Sequence, residues 1–184
     1  MRTRTTGVTA CGAALAMAFA TAPSAAADGD YWLRTGARFA AADDTAEPPR
    51  AVSYDPDLVP PGAHLTVTEY VVDGGLTVEV SARGLVPGHT YGAHVHVAPC
   101  GADPADAGGH YQNVPGEATA GNEVWIDFTA DVDGAGHATS PHDWLFRPGE
   151  AASVVLHEHA THEDGTAGDR TGCLTVPFAA PARG

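Results

Sequence analysis

An all-β fold, a Greek-key flattened barrel or immunoglobulin-like sandwich, is what this sequence predicts. Three observations carry that expectation. Side chains alternate with a period of two on both sides of a tight turn between residues 64 and 81. The 184 residues include 22 glycines and 14 prolines, many of them between short apolar runs, as a chain of many turns requires. No stretch combines a helical period with capping residues.

The elements follow in order. Residues 1–27 read as a secretory signal peptide. Arg2 and Arg4 give a positive start, Gly7 to Phe19 are small or apolar, and Ala25-Ala26-Ala27 offer a cleavage site before Asp28. The apolar run is too short and alanine-rich for a membrane anchor. Residues 28–50 read as a flexible extension because Asp43, Asp44, Glu47, Pro48 and Pro49 suit a tether. Tyr31, Trp32, Leu33 and Phe39 are its only candidates for packing. The domain is expected over 51–179, with a tail at 180–184. Ala51 to Tyr54 open it as a short strand. Leu65 to Val71 and Leu76 to Val80 alternate around Asp73-Gly74-Gly75, which predicts a hairpin. Thr90 to Val97 form a third strand, and Cys100 to Gly121 read as a long loop. Short strands are expected at Val124–Phe128, Trp144–Phe146, Ser153–His157 and Leu174–Phe178.

Composition narrows the function. The formal net charge is -14, and the chain contains no lysine. Without Arg2 and Arg4 it holds seven arginines against 23 acids, a net charge of -16. Such a chain cannot neutralise a run of phosphates, so nucleic acid is excluded as a main partner. A small anionic substrate is not excluded, because its approach depends on the local field. Cleavage of the leader removes Cys11 and leaves Cys100 and Cys173. A disulfide or two free thiols are the alternatives, and export favours the disulfide.

The ten histidines carry the chemistry. His94 and His96 lie two apart on one strand, so both leave the same face, while Val95 and Val97 are expected to face the core. Alone, a His-x-His pair is weak evidence and is better explained by solvation than by a metal. His110 in the loop and His157 at a strand end raise the set to four imidazoles, which copper accepts well and zinc also accepts. His64, His89, His137 and His142 look scattered and read as solvated or locally bonded. Trp125, Phe128 and Trp144 read as core.

These residues sit in segments that resemble the copper/zinc superoxide dismutase family. Gly92-Ala93-His94-Val95-His96 resembles its copper-binding strand, and Gly84-Leu85-Val86-Pro87-Gly88 the turn before it. Gly109-His110-Tyr111-Gln112-Asn113 is similar to the loop whose histidine bridges copper and zinc. Ser153 to Glu158 resembles the strand end with the last copper ligand, and Gly168 to Cys173 the closing Gly-x-Arg-x-x-Cys segment. The resemblance spans residues 52 to 178. It implies copper bound by His94, His96 and His157, with His110 as a fourth, switchable ligand. It implies a Cys100–Cys173 disulfide, and Arg170 beside the copper to attract and orient superoxide. A disulfide at Cys173 would also hold Arg170, three residues away, beside the loop carrying His110. The implied reaction converts superoxide to oxygen and hydrogen peroxide by alternating Cu(II) and Cu(I), with His110 moving a proton.

The sequence departs from the family at the zinc site. That site normally adds two histidines and an aspartate after the bridging histidine, yet residues 111–136 contain no histidine. Glu117, Glu123 and Asp127 alone do not make a closed zinc site. The loop Glu158–Asp169 is also short. The chain therefore resembles a copper-only branch or a degraded member, and zinc is not an expected cofactor. His110 then needs another acceptor for its second N–H. Glu123 or Asp127 would serve, with Glu123 preferred because Asp127 sits among apolar residues.

The expected protein is a bacterial secreted or envelope superoxide dismutase, without a membrane anchor after cleavage. Its copper donor is not legible. An exported copper-binding or copper-buffering protein without turnover is the alternative, and a structural module on the same fold comes next. A zinc hydrolase is disfavoured, because four imidazoles saturate the metal.

Overall fold

The computed structural model describes residues 30–42 and 50–178. The expected leader, the acidic part of the expected tether and the expected tail 180–184 lie outside these residues. Among the described residues ten strands form two sheets. One contains β1 (Tyr31–Arg38), β4 (His64–Val72), β5 (Gly75–Arg83) and β8 (Gly136–His142), in the order β1-β4-β5-β8. The other contains β2 (Ala40–Ala41), β3 (Ala51–Ser53), β6 (Thr90–His96), β7 (Phe128–Thr129), β9 (Ser153–His157) and β10 (Arg170–Thr175). Its order is β2-β3-β10-β9-β6-β7. The sheets form a sandwich that is not closed into a barrel. No helix among the described residues is long and apolar enough to cross a membrane.

Alternation builds the core. Leu65, Val67 and Val71 of β4 and Leu76, Val78 and Val80 of β5 are buried on the inner face of the four-stranded sheet. Ala93, Val95, Val154, Leu156 and Leu174 meet them from the other sheet. The expected hairpin joins β4 to β5 in continuous register. Both Asp73 and Gly74 have positive φ, 51° and 78°, as a two-residue turn of this hand needs.

A second, smaller cluster lies on the outer side of the six-stranded sheet. Val52, Cys100, Ala107, Val155 and Cys173 are buried there together. Cys100 and Cys173 form a disulfide across a separation of 73 residues. It ties the loop after β6 to β10.

Several expectations need correction. Residues 31–38 are not a tether: they pair with all of β4 from Tyr31↔Val71 to Arg38↔His64. Their inward residues include Thr35 and Ala37, whose weak hydrophobicity hid the alternation. Phe39 is buried beside them. Strand β8 is not among the expected elements, because neither its outward residues His137, Thr139 and Pro141 nor its inward Ala138 and Ser140 form an apolar alternation. Trp144–Phe146 is not a strand: Trp144 stacks on Tyr111, and Phe146 packs on Tyr111 and Phe178. Val124–Phe128 pairs only through the isolated bridge His94↔Trp125 before the short β7. The last strand lies earlier than expected, at Arg170–Thr175. Val97 falls beyond the end of β6 and is exposed rather than core.

Replacing both Cys100 and Cys173 by alanine is expected to lower stability by about 2–4 kcal/mol, as for a disulfide closing a long loop. Urea unfolding of the variant and the parent measures it, and coincident curves would show that the bridge is dispensable.

Candidate metal centre

Strand β6 turns Tyr91, Ala93 and Val95 into the core, so His94 and His96 leave the outer face of the six-stranded sheet. On the neighbouring β9, Val154 and Leu156 face the core and His157 faces outward at the strand end. His110 arrives from the loop and forms a bridge with His96. One ring nitrogen from each of His94, His96, His110 and His157 lies within 4.8 Å of the others. His94, His96 and His157 are buried, and His110 is half-buried.

The second nitrogen of each ring fixes the proton positions. His96 Nδ1 lies 3.1 Å from the carbonyl of Gly108, and His157 Nδ1 lies 3.3 Å from that of Gly168. Carbonyls only accept, so both Nδ1 atoms carry the proton and both Nε2 atoms carry a lone pair. His110 Nδ1 donates to Glu123 Oε2 at 2.8 Å, again leaving Nε2 free of its proton. His94 is the reverse case. Thr161 Oγ1 gives its proton to Asp127 Oδ1 at 2.7 Å, so it accepts from His94 Nε2 at 2.7 Å. The lone pair of His94 is then on Nδ1, which is buried without a hydrogen-bond partner.

Four imidazole lone pairs therefore converge. His96 Nε2 and His157 Nε2 face each other at 3.4 Å with no proton between them. Two buried acceptors at that distance, beside an orphaned third, fit a cation bound among them. An all-imidazole donor set suits copper, and it also suits zinc.

Electrostatics agree with neutral rings at His94, His96 and His157. Burial, reinforced by His110 and Arg170, pushes His96 down to about 2. Burial is also the main cause that brings His157 down to about 4. His94 is lowered further still, chiefly by burial and then by the three neighbouring rings. Burial raises Glu123, but hydrogen bonds from His110, Gln112 and Trp125 outweigh it and hold the carboxyl below its ordinary range.

The two acids named from the sequence have different places. Glu123 accepts from His110, from Gln112 Nε2 at 2.7 Å and from Trp125 Nε1 at 2.7 Å. Trp125 thus belongs to the site rather than only to the core. Asp127 is not near His110. It accepts from the Ala93 amide at 3.1 Å, the Thr161 amide at 2.6 Å and the Thr161 hydroxyl, and so sets the ring of His94. Glu117 forms no side-chain bond to these rings.

Arg170 is half-buried beside His96. Its Nη1 and Nη2 donate to the carbonyls of Pro104 and Gly108, each at 2.6 Å. The carbonyl of Gly108 therefore serves both Arg170 and His96. Arg170 lines a cavity of about 550 Å³ with Tyr54, Asp103, Pro104 and Asp169.

Sequence reasoning missed Thr161, Gln112 and Arg147. Arg147 donates to the carbonyls of Gln112 at 2.9 Å and Asn113 at 2.6 Å, and lies 4.8 Å over the ring of Tyr111. It thereby holds the segment after His110. Only a spacing signal existed in the sequence: Glu123 and Trp125 lie two apart, hence on one face. Gly92 has a structural reason. A Cβ there would stand 2.5 Å from the carbonyl of His159, so a side chain would displace the segment carrying Thr161.

No protein-family model matches the sequence, and no curated protein matches it. Solved structures do share the fold. A Cu/Zn superoxide dismutase from Brucella abortus superposes with a TM-score of 0.53 at 22% identity, covering 78% of this chain and 99% of that one. The clock protein EA4 superposes with a TM-score of 0.51 at 20% identity, covering 61% and 85% respectively. The chain has the β-sandwich fold of the Cu/Zn superoxide dismutases.

The lowered histidines predict acid sensitivity of the metal-free protein. In the unfolded chain a histidine takes up its proton near pH 6.5, whereas folded His157 resists until about 4. Between those values the unfolded state binds more protons, so stability falls as pH falls. Urea midpoints of the metal-free protein should drop from pH 7.5 to pH 4.5. A flat profile would mean that the rings are accessible to protons in the folded state.

Proposed function

We propose that this chain is an exported, copper-dependent superoxide dismutase that works without zinc. The observation that carries the reading is the convergence of four imidazole lone pairs while Glu123 holds the remaining nitrogen of His110. In a two-metal site that nitrogen would face the zinc. Here a carboxylate with three donors already orients the ring. The disulfide and the leader-like first 27 residues support export.

His94 Nδ1 and the Nε2 atoms of His96, His110 and His157 would hold the copper. Bound there, copper supplies the one-electron chemistry, cycling between Cu(II) and Cu(I) as superoxide becomes oxygen and hydrogen peroxide. The protein supplies orientation, charge and protons. Asp127 and Thr161 fix the ring of His94. Glu123 fixes that of His110, whose Nε2 is the atom that takes up and returns a proton. Arg170 presents a fixed cation with N–H groups left over from its two carbonyl bonds, suited to a small anion.

A second reading, copper binding without turnover, is favoured by one observation. Asp103 and Asp169 line the same cavity as Arg170 and oppose an anion there. Metal content and activity on one sample separate the two. The chain from Asp28, loaded with copper alone and freed of loose metal, should hold one copper and consume superoxide catalytically in pulse radiolysis, with no gain from zinc. One tight copper with no decay above background would establish the second reading. His157→Ala is expected to lose most of the copper. Arg170→Ala is expected to keep it and slow the decay at least about tenfold, the scale of one lost charge-assisted hydrogen bond. An unchanged rate would return Arg170 to a structural role.

A further inference from the structure

We propose that the outward face of the four-stranded sheet binds an anionic polysaccharide. The register stacks its outward residues into rows. Trp32 lies beside Tyr70 in one row, Arg34 begins the next, and Arg38, His64 and Arg83 form the last. The described residues include six arginines, and three of them, Arg34, Arg38 and Arg83, are exposed on this one face. None of the three has a carboxylate partner among the described residues. Glu79 is the one acid in these rows. In a chain of net charge -14 this is a segregated basic stripe.

Two features give the stripe a ligand chemistry. Arg38, His64 and Arg83 line a cavity of about 390 Å³, with Arg38 braced on the carbonyl of Gly62 at 2.9 Å. That concavity has room for a carboxylate, sulfate or phosphate group, and guanidinium forks match such groups. At the other end Trp32 is 67% exposed and Tyr70 37%, as cross-strand neighbours. Two open aromatic rings on a flat sheet suit the apolar face of a sugar. Trp32 and Arg38 are six residues apart on β1, roughly 20 Å at the rise of a strand, so the ligand is extended.

The overall charge selects a polymer over a membrane. A flat anionic bilayer would bring the acidic remainder of the surface within the screening length of about 8 Å. A single polymer chain need touch only the stripe. The histidine centre leaves the other sheet on the opposite side of the sandwich, so the two sites are separate.

The test uses the copper-loaded chain from Asp28 and its retention on polygalacturonate, dextran sulfate and neutral dextran at low salt. Retention on the two charged polymers, but not on neutral dextran, is expected. Relative strength on the two separates carboxylate from sulfate recognition. Arg38→Ala combined with Arg83→Ala should weaken binding at least about tenfold, while copper content and superoxide decay stay as in the parent. Trp32→Ala should weaken binding several-fold without changing its salt dependence. No retention on either charged polymer, equal retention on neutral dextran, or undiminished binding by the double variant would overturn the proposal. Undiminished binding by Trp32→Ala would leave plain ion exchange and likewise overturn it. Tighter binding to phosphatidylglycerol vesicles or to a single-stranded DNA oligonucleotide would assign the face to that partner instead.

Discussion

The structure depends on one arrangement: four imidazoles whose ring nitrogens point at one another in a largely buried space. Without a cation this convergence is unfavourable, because buried acceptors face acceptors. It persists because each ring is held from behind through its other nitrogen. The four acceptors come from four different segments: Gly108, Glu123, Thr161 and Gly168. The loops outside the sheets are therefore components of the site. Each is braced in turn, the 100–108 segment by the disulfide and Arg170, and the 110–113 segment by Arg147.

Two carboxylates four residues apart do different work because they meet different partners. Glu123 is buried but satisfied by three side-chain donors, and it faces His110. Asp127 binds two backbone amides and one hydroxyl, so it organises a segment first and a ring second. Thr161 transmits its effect by a choice of direction. Since its hydroxyl donates to Asp127, it has only a lone pair to offer His94, and that selects the tautomer with the free Nδ1. A neighbouring ring of the same chemistry, His96, uses the opposite nitrogen because its partner is the carbonyl of Gly108.

Much of this was legible in the sequence, for identifiable reasons. The β4–β5 hairpin announced itself through strong alternation and a turn that requires positive φ. The four histidines were legible because two share a strand face and the others sit in segments resembling a known family. Strands β1 and β8 were not legible: two of the four inward positions of β1 are Thr35 and Ala37, and those of β8 include Ala138 and Ser140, too small or polar to show a pattern. Thr161, Gln112 and Arg147 were hidden for another reason. Each acts through tertiary contacts, from 34 to 67 residues away in sequence for Thr161, and no local pattern marks such a partner. The preference for Glu123 over Asp127 rested on apolar neighbours. The geometry adds the cause: Ala93 and Thr161 occupy the carboxylate of Asp127.

The distribution of charge then shapes what the proposed centre can do. A chain this acidic repels a small anion at long range, but screening confines that repulsion to about a Debye length. Within that distance the arrangement of individual groups matters more than the total. Arg170 is held by two carbonyls rather than by a carboxylate, so its charge is not cancelled by an ion pair. Asp103 and Asp169 line the same cavity without binding it. In the proposed enzyme the guanidinium would act as a short-range donor to an anion more than as a beacon from solution. Association would depend on exposure of the cavity, and orientation on the fixed N–H groups of Arg170. Arg34, Arg38 and Arg83, exposed on the far sheet, take no part in that field.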